Sequence, residues 1–500
     1  MDLNTYVSLD ATEMARLIQQ KELSPRELVE LSYQQLEKVQ PILNVCTYIR
    51  KERALIEADN ININNHPFAG VPMLLKDVSQ ALAGEPLTSG SKLLKHVISD
   101  YDSYLVRKIR EAGFIITGHT TTPEFGLKNI TESSLYGPTR NPWNIDYSPG
   151  GSSGGSAAAI ASGIVPVAGA SDGGGSIRIP ASFTGLLGLK PTRGRTPVGP
   201  KVGRQWHGAA IDFVLSRTVR DSAAMLDILQ IIEPAAAFQT PLFNGIYAEE
   251  MKRDFKRPLR IAYSTKSPVE TFVSTDAKQA VEKTVKWLES EGHHIEEKDN
   301  GVDGVKLMEN YILMNCGEIS KVIMNLEQDI NRSITEKDVE VETWLLNVAG
   351  RSVSAAQFSN SLSLWDIVAQ QMAEFHERYD FYITPTCAHT APEIGELTHP
   401  EERKQLFIKK FNSANQNEQQ ELIYELFLPG VTYTPFSPLA NLTGQPAISL
   451  PVHVSDEGLP IGVQVMANKG LDAKLLKLAS HIEQSGLWIG MKGNPYFDYK

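Results

Sequence analysis

Cysteine is scarce: Cys46, Cys316 and Cys387 are the only three in 500 residues. They lie far apart, and none belongs to a Cys-x-x-Cys pair. That argues against a disulfide framework and against a thiolate metal site. Reduced thiols in a cytoplasmic chain are the expectation. Dense Lys/Arg clusters are also missing, and the formal net charge is −11. A surface that coats nucleic acid would need a basic stripe. Long apolar runs are missing too. The most apolar stretch, Ala157 to Ala170, is interrupted by Gly163 and Pro166 and is too short to span a bilayer. It reads as buried core. The polar N-terminus has no basic-then-apolar signal pattern, and the terminal Phe497-Asp498-Tyr499-Lys500 matches no lipidation signal.

What is present suffices for a large core: 42% of residues are hydrophobic and 21% charged. Two helices are expected at the start. Asp10 with Glu13 caps the first, and Ser24-Pro25-Arg26-Glu27 forms a capping box for the second. Phe68 to Leu75 reads as a buried strand that ends on Lys76-Asp77. Further strands are expected at Phe114–Gly118, Ile164–Ala168, Arg260–Tyr263, Phe381–Pro385, Ala447–Pro451 and Ile461–Met466. Helices are expected at Tyr104–Ala112, Arg220–Ile231 and Thr275–Glu291, and Gly304 to Leu428 reads as mainly helical. Helices alternating with short apolar strands define an α/β class. No repeat or Pro/Ser-rich linker divides the chain.

Two Gly/Ser segments carry the chemistry. One is Ser148-Pro149-Gly150-Gly151-Ser152-Ser153-Gly154-Gly155-Ser156. The other is Ser171-Asp172-Gly173-Gly174-Gly175-Ser176-Ile177-Arg178. Consecutive glycines let backbone N–H groups converge on one point, which suits a phosphate or a developing oxyanion. A phosphate loop would need a Lys after the glycines, and neither cluster has one. Gly150-Gly151-Ser152-Ser153-Gly154 matches a nucleophile elbow by letter, with Ser152 as nucleophile and a downstream Asp and His. The strand expected directly before an elbow is missing, however. A third reading joins both segments to Lys76, whose desolvated amine at a strand end could act as a neutral base. Lys76 could equally snorkel or pair with Asp77. The eleven histidines suggest no role.

Taken together, the run from Gly150 to Arg195, closing on Gly188-Leu189-Lys190-Pro191-Thr192, resembles the signature of the amidase signature family. Gly70-Val71-Pro72, Pro138-Thr139-Arg140-Asn141-Pro142-Trp143 and Asn441-Leu442-Thr443-Gly444-Gln445-Pro446-Ala447 extend the likeness nearly end to end. The resemblance implies one amidase domain over 1–500, with its signature core at about 66–200 and a mainly helical substrate-side region at about 304–428. It implies a central mixed, twisted sheet with helices on both faces. It also implies a Ser–cis-Ser–Lys triad: Ser176 as nucleophile, Ser152 after a cis Gly151–Ser152 bond as the bridge, and Lys76 as base. The oxyanion hole would be the N–H groups of Gly173, Gly174, Gly175 and Ser176. Asp172 and Arg178 are expected to hold the loop. No cofactor or metal is expected.

Pro197-Val198-Gly199-Pro200, Trp206-His207-Gly208 and Ile211 to Asp221 are similar to the 6-aminohexanoate cyclic dimer hydrolase branch of that family. In that light Cys316 and Asn129 are candidate substrate contacts. The implied partner is a small cyclic or linear amide, with no nucleic acid or membrane, and the chain is expected to pair as a homodimer. Two other activities fit the same family: a general aliphatic or aryl amidase, and the glutaminase A subunit of a tRNA-dependent amidotransferase.

Overall fold

A computed structural model describes residues 1–497. Residues 498–500, and with them most of the tail read for lipidation, lie outside the described residues. Eleven strands form one sheet: β1 (Cys46–Ile49), β2 (Pro72–Lys76), β3 (Ile115–Thr120), β4 (Val167–Asp172), β5 (Leu187–Lys190), β6 (Ile211–Ser216), β7 (Arg260–Tyr263), β8 (His294–Glu297), β9 (Phe381–Pro385), β10 (Ala447–Val454) and β11 (Pro460–Met466). Their order is β1-β3-β2-β4-β6-β5-β10-β11-β9-β7-β8. β2 runs parallel to β3 and β4, and β7 runs parallel to β8 and β9. The remaining neighbours are antiparallel. The sheet is therefore mixed, and helices flank it.

The central strands are buried along their whole length, as β2, β3 and β6 illustrate. Helices cover them on both faces, so no solvent-facing polar side alternates with a buried one. A short helix that was not expected, Leu3–Ser8, opens the chain, and the two expected helices follow it and form as their caps predict. Asp10 accepts from Glu13 N, and Ser24 and Glu27 complete a reciprocal box.

Several boundaries differ from expectation, two of them because a glycine turns the chain. Gly70 turns the chain at φ +84, so β2 begins only at Pro72. Gly163, at φ +76, ends the helix Gly154–Ala161 in a turn, so β4 begins at Val167 rather than Ile164. The apolar run from Ala157 is thus a helix, a turn and a strand, all buried. The parallel pairing of β2 with β4, Leu74 opposite Ala168, sets the carboxyl ends of both strands side by side. Open α/β sheets place their ligands at such ends.

Residues 304–433 are mainly helical, as expected: Gly304–Ile330, Val341–Ser352, Ala355–Arg378, Glu401–Ser413 and Gln416–Tyr433, with β9 between the third and fourth. Several of these helices share an apolar cluster apart from the main core, built on residues such as Ile319, Ile323, Leu345 and Phe407. Among the described residues, no helix is long and apolar enough to cross a membrane.

Candidate active site

Lys76 closes β2 and is fully buried. Its Nζ donates to Ser152 Oγ at 2.7 Å and to Ser171 Oγ at 2.8 Å. Burial lowers its pKa to about 7, although the carboxylates of Asp212 and Asp172 oppose the shift. Lys76 therefore neither snorkels nor pairs with Asp77, which bonds to Thr88 instead. Ser171, the second partner of Lys76, lies on β4 beside the end of β2. The sequence reading passed over it because its signal is only its place next to the glycine run.

Ser152 follows a cis Gly151–Ser152 peptide bond, as the family resemblance implies. The segment then enters the helix Gly154–Ala161, all eight residues of which are buried. Small residues are needed here. Ser156 Oγ reaches Gly169 O on β4 at 2.7 Å, and a Cβ on Gly155 would lie 2.5 Å from Thr121 N.

The second Gly/Ser segment is folded around Asp172. Asp172 and Arg178 are both 0% exposed and meet in a two-bond fork, Nε to Oδ2 and Nη2 to Oδ1, each at 2.9 Å. Burial alone would raise the Asp172 pKa; the Arg178 charge and hydrogen bonds outweigh it and hold the carboxyl at about 2. Distant residues complete the cage. Arg178 donates to Ser437 O and to the Asn441 side chain, and Ser437 Oγ donates to Gly174 O. We expect Arg178→Met to lower the unfolding free energy by about 3–5 kcal/mol, because it strands a buried carboxylate. Urea denaturation reads this directly, and a loss under about 1 kcal/mol would contradict the pairing.

One part of the expected oxyanion nest needs correction. The Gly175 N–H donates to Asp172 Oδ1 at 2.7 Å and so faces away from the cavity. Gly175 turns the loop instead, at φ +128, where a Cβ would strike Ser437 Oγ. Among the described residues the N–H groups of Gly173, Gly174 and Ser176 have no partner, and all three residues line the cavity.

That cavity holds about 440 Å³ and brings Ser152, Ser171 and Ser176 onto one wall. A smaller one, about 110 Å³, meets Ser176 from another side. The larger follows the helix Gly304–Ile330 from Met308 to Asn325, about 25 Å of helix axis. Tyr311, Asn315, Glu318 and Val322 face it, spaced by three and four residues. Cys316 is one position off that stripe and points elsewhere. It is fully buried in the helical cluster, its thiol pushed up to about 12 by burial and directed at Gln420. The expectation that Cys316 touches substrate is therefore overturned; Asn315 holds the facing position. Asn129 lines the smaller cavity, but its amide donates to Gly430 O and Thr434 Oγ1 and so ties down the helix Gln416–Tyr433.

The loop Arg204–Gly208 packs against this helix and adds Arg204, Gln205 and Trp206 to the cavity lining. Trp206 and His207 lie in the left-handed region at φ +44 and +50, followed by Gly208 at φ +86. Such backbone persists only where the surroundings hold it. Trp206 Nε1 donates to Asn315 Oδ1 at 2.6 Å, and His207 Nε2 donates to Glu318 Oε1 at 3.0 Å. Among the described residues, no group of three or more His, Cys, Asp or Glu is arranged to hold a metal ion.

A buried lysine bonded to serines beside a glycine-rich turn, on a mixed sheet, fits a class: residues 27–476 match the Amidase family, and the chain belongs to it, as an amidase-signature amide hydrolase. Its relatives narrow the comparison. A lipoamidase from Enterococcus faecalis is 38% identical over 481 residues, 96% of this chain, although the chain spans only 64% of that protein. A 6-aminohexanoate-cyclic-dimer hydrolase from Paenarthrobacter ureafaciens is 34% identical over 495 residues, covering 97% of this chain and 96% of that one. The structure of a 6-aminohexanoate cyclic dimer hydrolase complexed with substrate superposes with a TM-score of 0.89 at 32% identity over all of both chains.

Proposed function

We propose that the protein hydrolyses amides of unbranched, medium-length acyl chains through an acyl-enzyme on Ser176. The observation that carries this reading is the buried Lys76 amine, near neutral in pKa and 2.7 Å from Ser152 Oγ, on the cavity that Ser176 lines. Neutral Lys76 accepts the Ser152 proton as Ser152 accepts the Ser176 proton. Ser176 Oγ attacks the carbonyl carbon, and the oxyanion is held by the N–H groups of Gly173, Gly174 and Ser176. The C–N bond breaks as the proton returns through Ser152 to the leaving amine. Water, deprotonated along the same route, then cleaves the ester and frees Ser176.

The acyl class is supported by the cavity's length and by apolar walls that include Phe125, Ile312 and Leu346. The 6-aminohexanoate in the name of the cyclic-dimer hydrolase above is an unbranched acyl chain of this kind. The test is a turnover screen over lipoamide, cyclic and linear 6-aminohexanoate dimers, aryl amides and glutamine. Glutamine-dependent activity, together with co-purifying B and C subunits, would replace this reading with the amidotransferase one.

The base also sets a pH dependence. Only unprotonated Lys76 accepts a proton, so kcat/KM should rise about tenfold per pH unit below the Lys76 pKa and level off above it. That pKa is about 7. A profile flat from pH 5 to 9 would rule Lys76 out as the base.

A further inference from the structure

Glu318 is the only carboxylate among the described residues lining the larger cavity, and it is 5% exposed. The cations on that wall, Arg204 and Lys321, lie at its exposed rim. Lys321 approaches Glu318 Oε2 at 3.3 Å but is 58% exposed. That pair is screened by solvent and adjustable. The other oxygen is fixed by His207, whose ring packs edge-on against Phe358 and whose backbone belongs to the strained loop. The protein thus holds a buried, oriented carboxylate in the wall of an otherwise largely apolar channel.

Its position sets a length. The Tyr311 hydroxyl lies against Gly174 in the nest. Glu318 is seven residues further along the same helix, about 10 Å up the axis. An extended six-carbon acyl chain carries a terminal nitrogen about 7.5 Å from its carbonyl carbon, and an ammonium–carboxylate contact adds about 2.8 Å. These lengths agree. A buried charge also discriminates more strongly than the exposed rim cations.

Building on the acyl-amide reading, we propose that Glu318 is a specificity-determining residue that binds the ammonium at the far end of an ω-amino acyl chain, with His207 as its positioning residue.

Three amides with five methylenes test this: 6-aminohexanamide, heptanamide and the monoamide of heptanedioic acid. Their ends are an ammonium, a methyl and a carboxylate. Binding is measured by calorimetry in Ser176→Ala, where no turnover intervenes. The ammonium compound should bind about tenfold or more tighter than heptanamide, and the carboxylate compound weakest. In Ser176→Ala/Glu318→Gln the ammonium preference should disappear, since Gln still accepts from His207 but carries no charge. An unchanged preference, an equal weakening of all three, or preference for the carboxylate would each overturn the proposal. Turnover by the unmodified enzyme is scored separately. If it cleaves none of the three while the ammonium preference in binding holds, the acyl-amide reading fails and the Glu318 assignment stands.

Discussion

Ser176→Ala should lower kcat by at least about 10⁴-fold, and no acyl-enzyme should form. Among the described residues it is the one serine that lines both cavities, and it sits at the end of the glycine run. Ser152→Ala should also be slow, for a different reason: it removes the hydroxyl proposed to carry the proton from Ser176 to Lys76. The two variants separate under an activated ester, whose leaving group needs no proton. Ser152→Ala should then still be acylated, detectably by intact-mass spectrometry, whereas Ser176→Ala should not. The reverse pattern would restore the nucleophile-elbow reading of Gly150-Gly151-Ser152-Ser153-Gly154.

Lys76→Ala should cost about 10³- to 10⁴-fold in kcat/KM. It should also abolish the pH dependence, since the group that titrates near neutrality is gone. Lys76→Arg should not rescue activity, because a guanidinium stays charged at any usable pH. Fold integrity is checked by comparing urea midpoints. Removing a buried amine whose pKa burial has depressed is not expected to destabilise the protein strongly. Residual activity within tenfold of the unmodified enzyme would show that Lys76 positions Ser152 without moving its proton.

Much of this site is legible in the sequence. Lys76, Ser152 and Ser176 sit in motifs whose residue types have few other uses, and the boxed cap at Ser24 and Glu27 formed as read. The strands Arg260–Tyr263 and Phe381–Pro385 fall where their apolar runs lie. The misses have physical causes. β8 is an edge strand with polar, largely exposed residues, and so lacks an apolar run. β5 is four residues containing Gly188. β6, Ile211–Ser216, was noticed as a motif rather than as a strand. Cys316 was misplaced because one step along a helix turns a side chain by 100°, and local sequence does not say which face meets the cavity. Glu318 has no local signal, and His207 stands out only as part of the Trp206-His207-Gly208 block, with no role attached. They matter through a contact between a loop and a helix more than a hundred residues apart.

The cage around the nucleophile has a consequence for how the protein comes into being. Arg178 is anchored by Asn441 and Gln464, 263 and 286 residues further along the chain. Asp172 is gripped by Asn441 from 269 residues away. During synthesis the Ser176 loop is therefore made early but cannot be set in place until the last strand, β11, has left the ribosome. Contacts of such sequence separation form late, at a high cost in loop closure. A growing chain would carry its reactive serine in a slack, unarmed loop, and fragments ending before β11 would remain inert toward the cell's own amides.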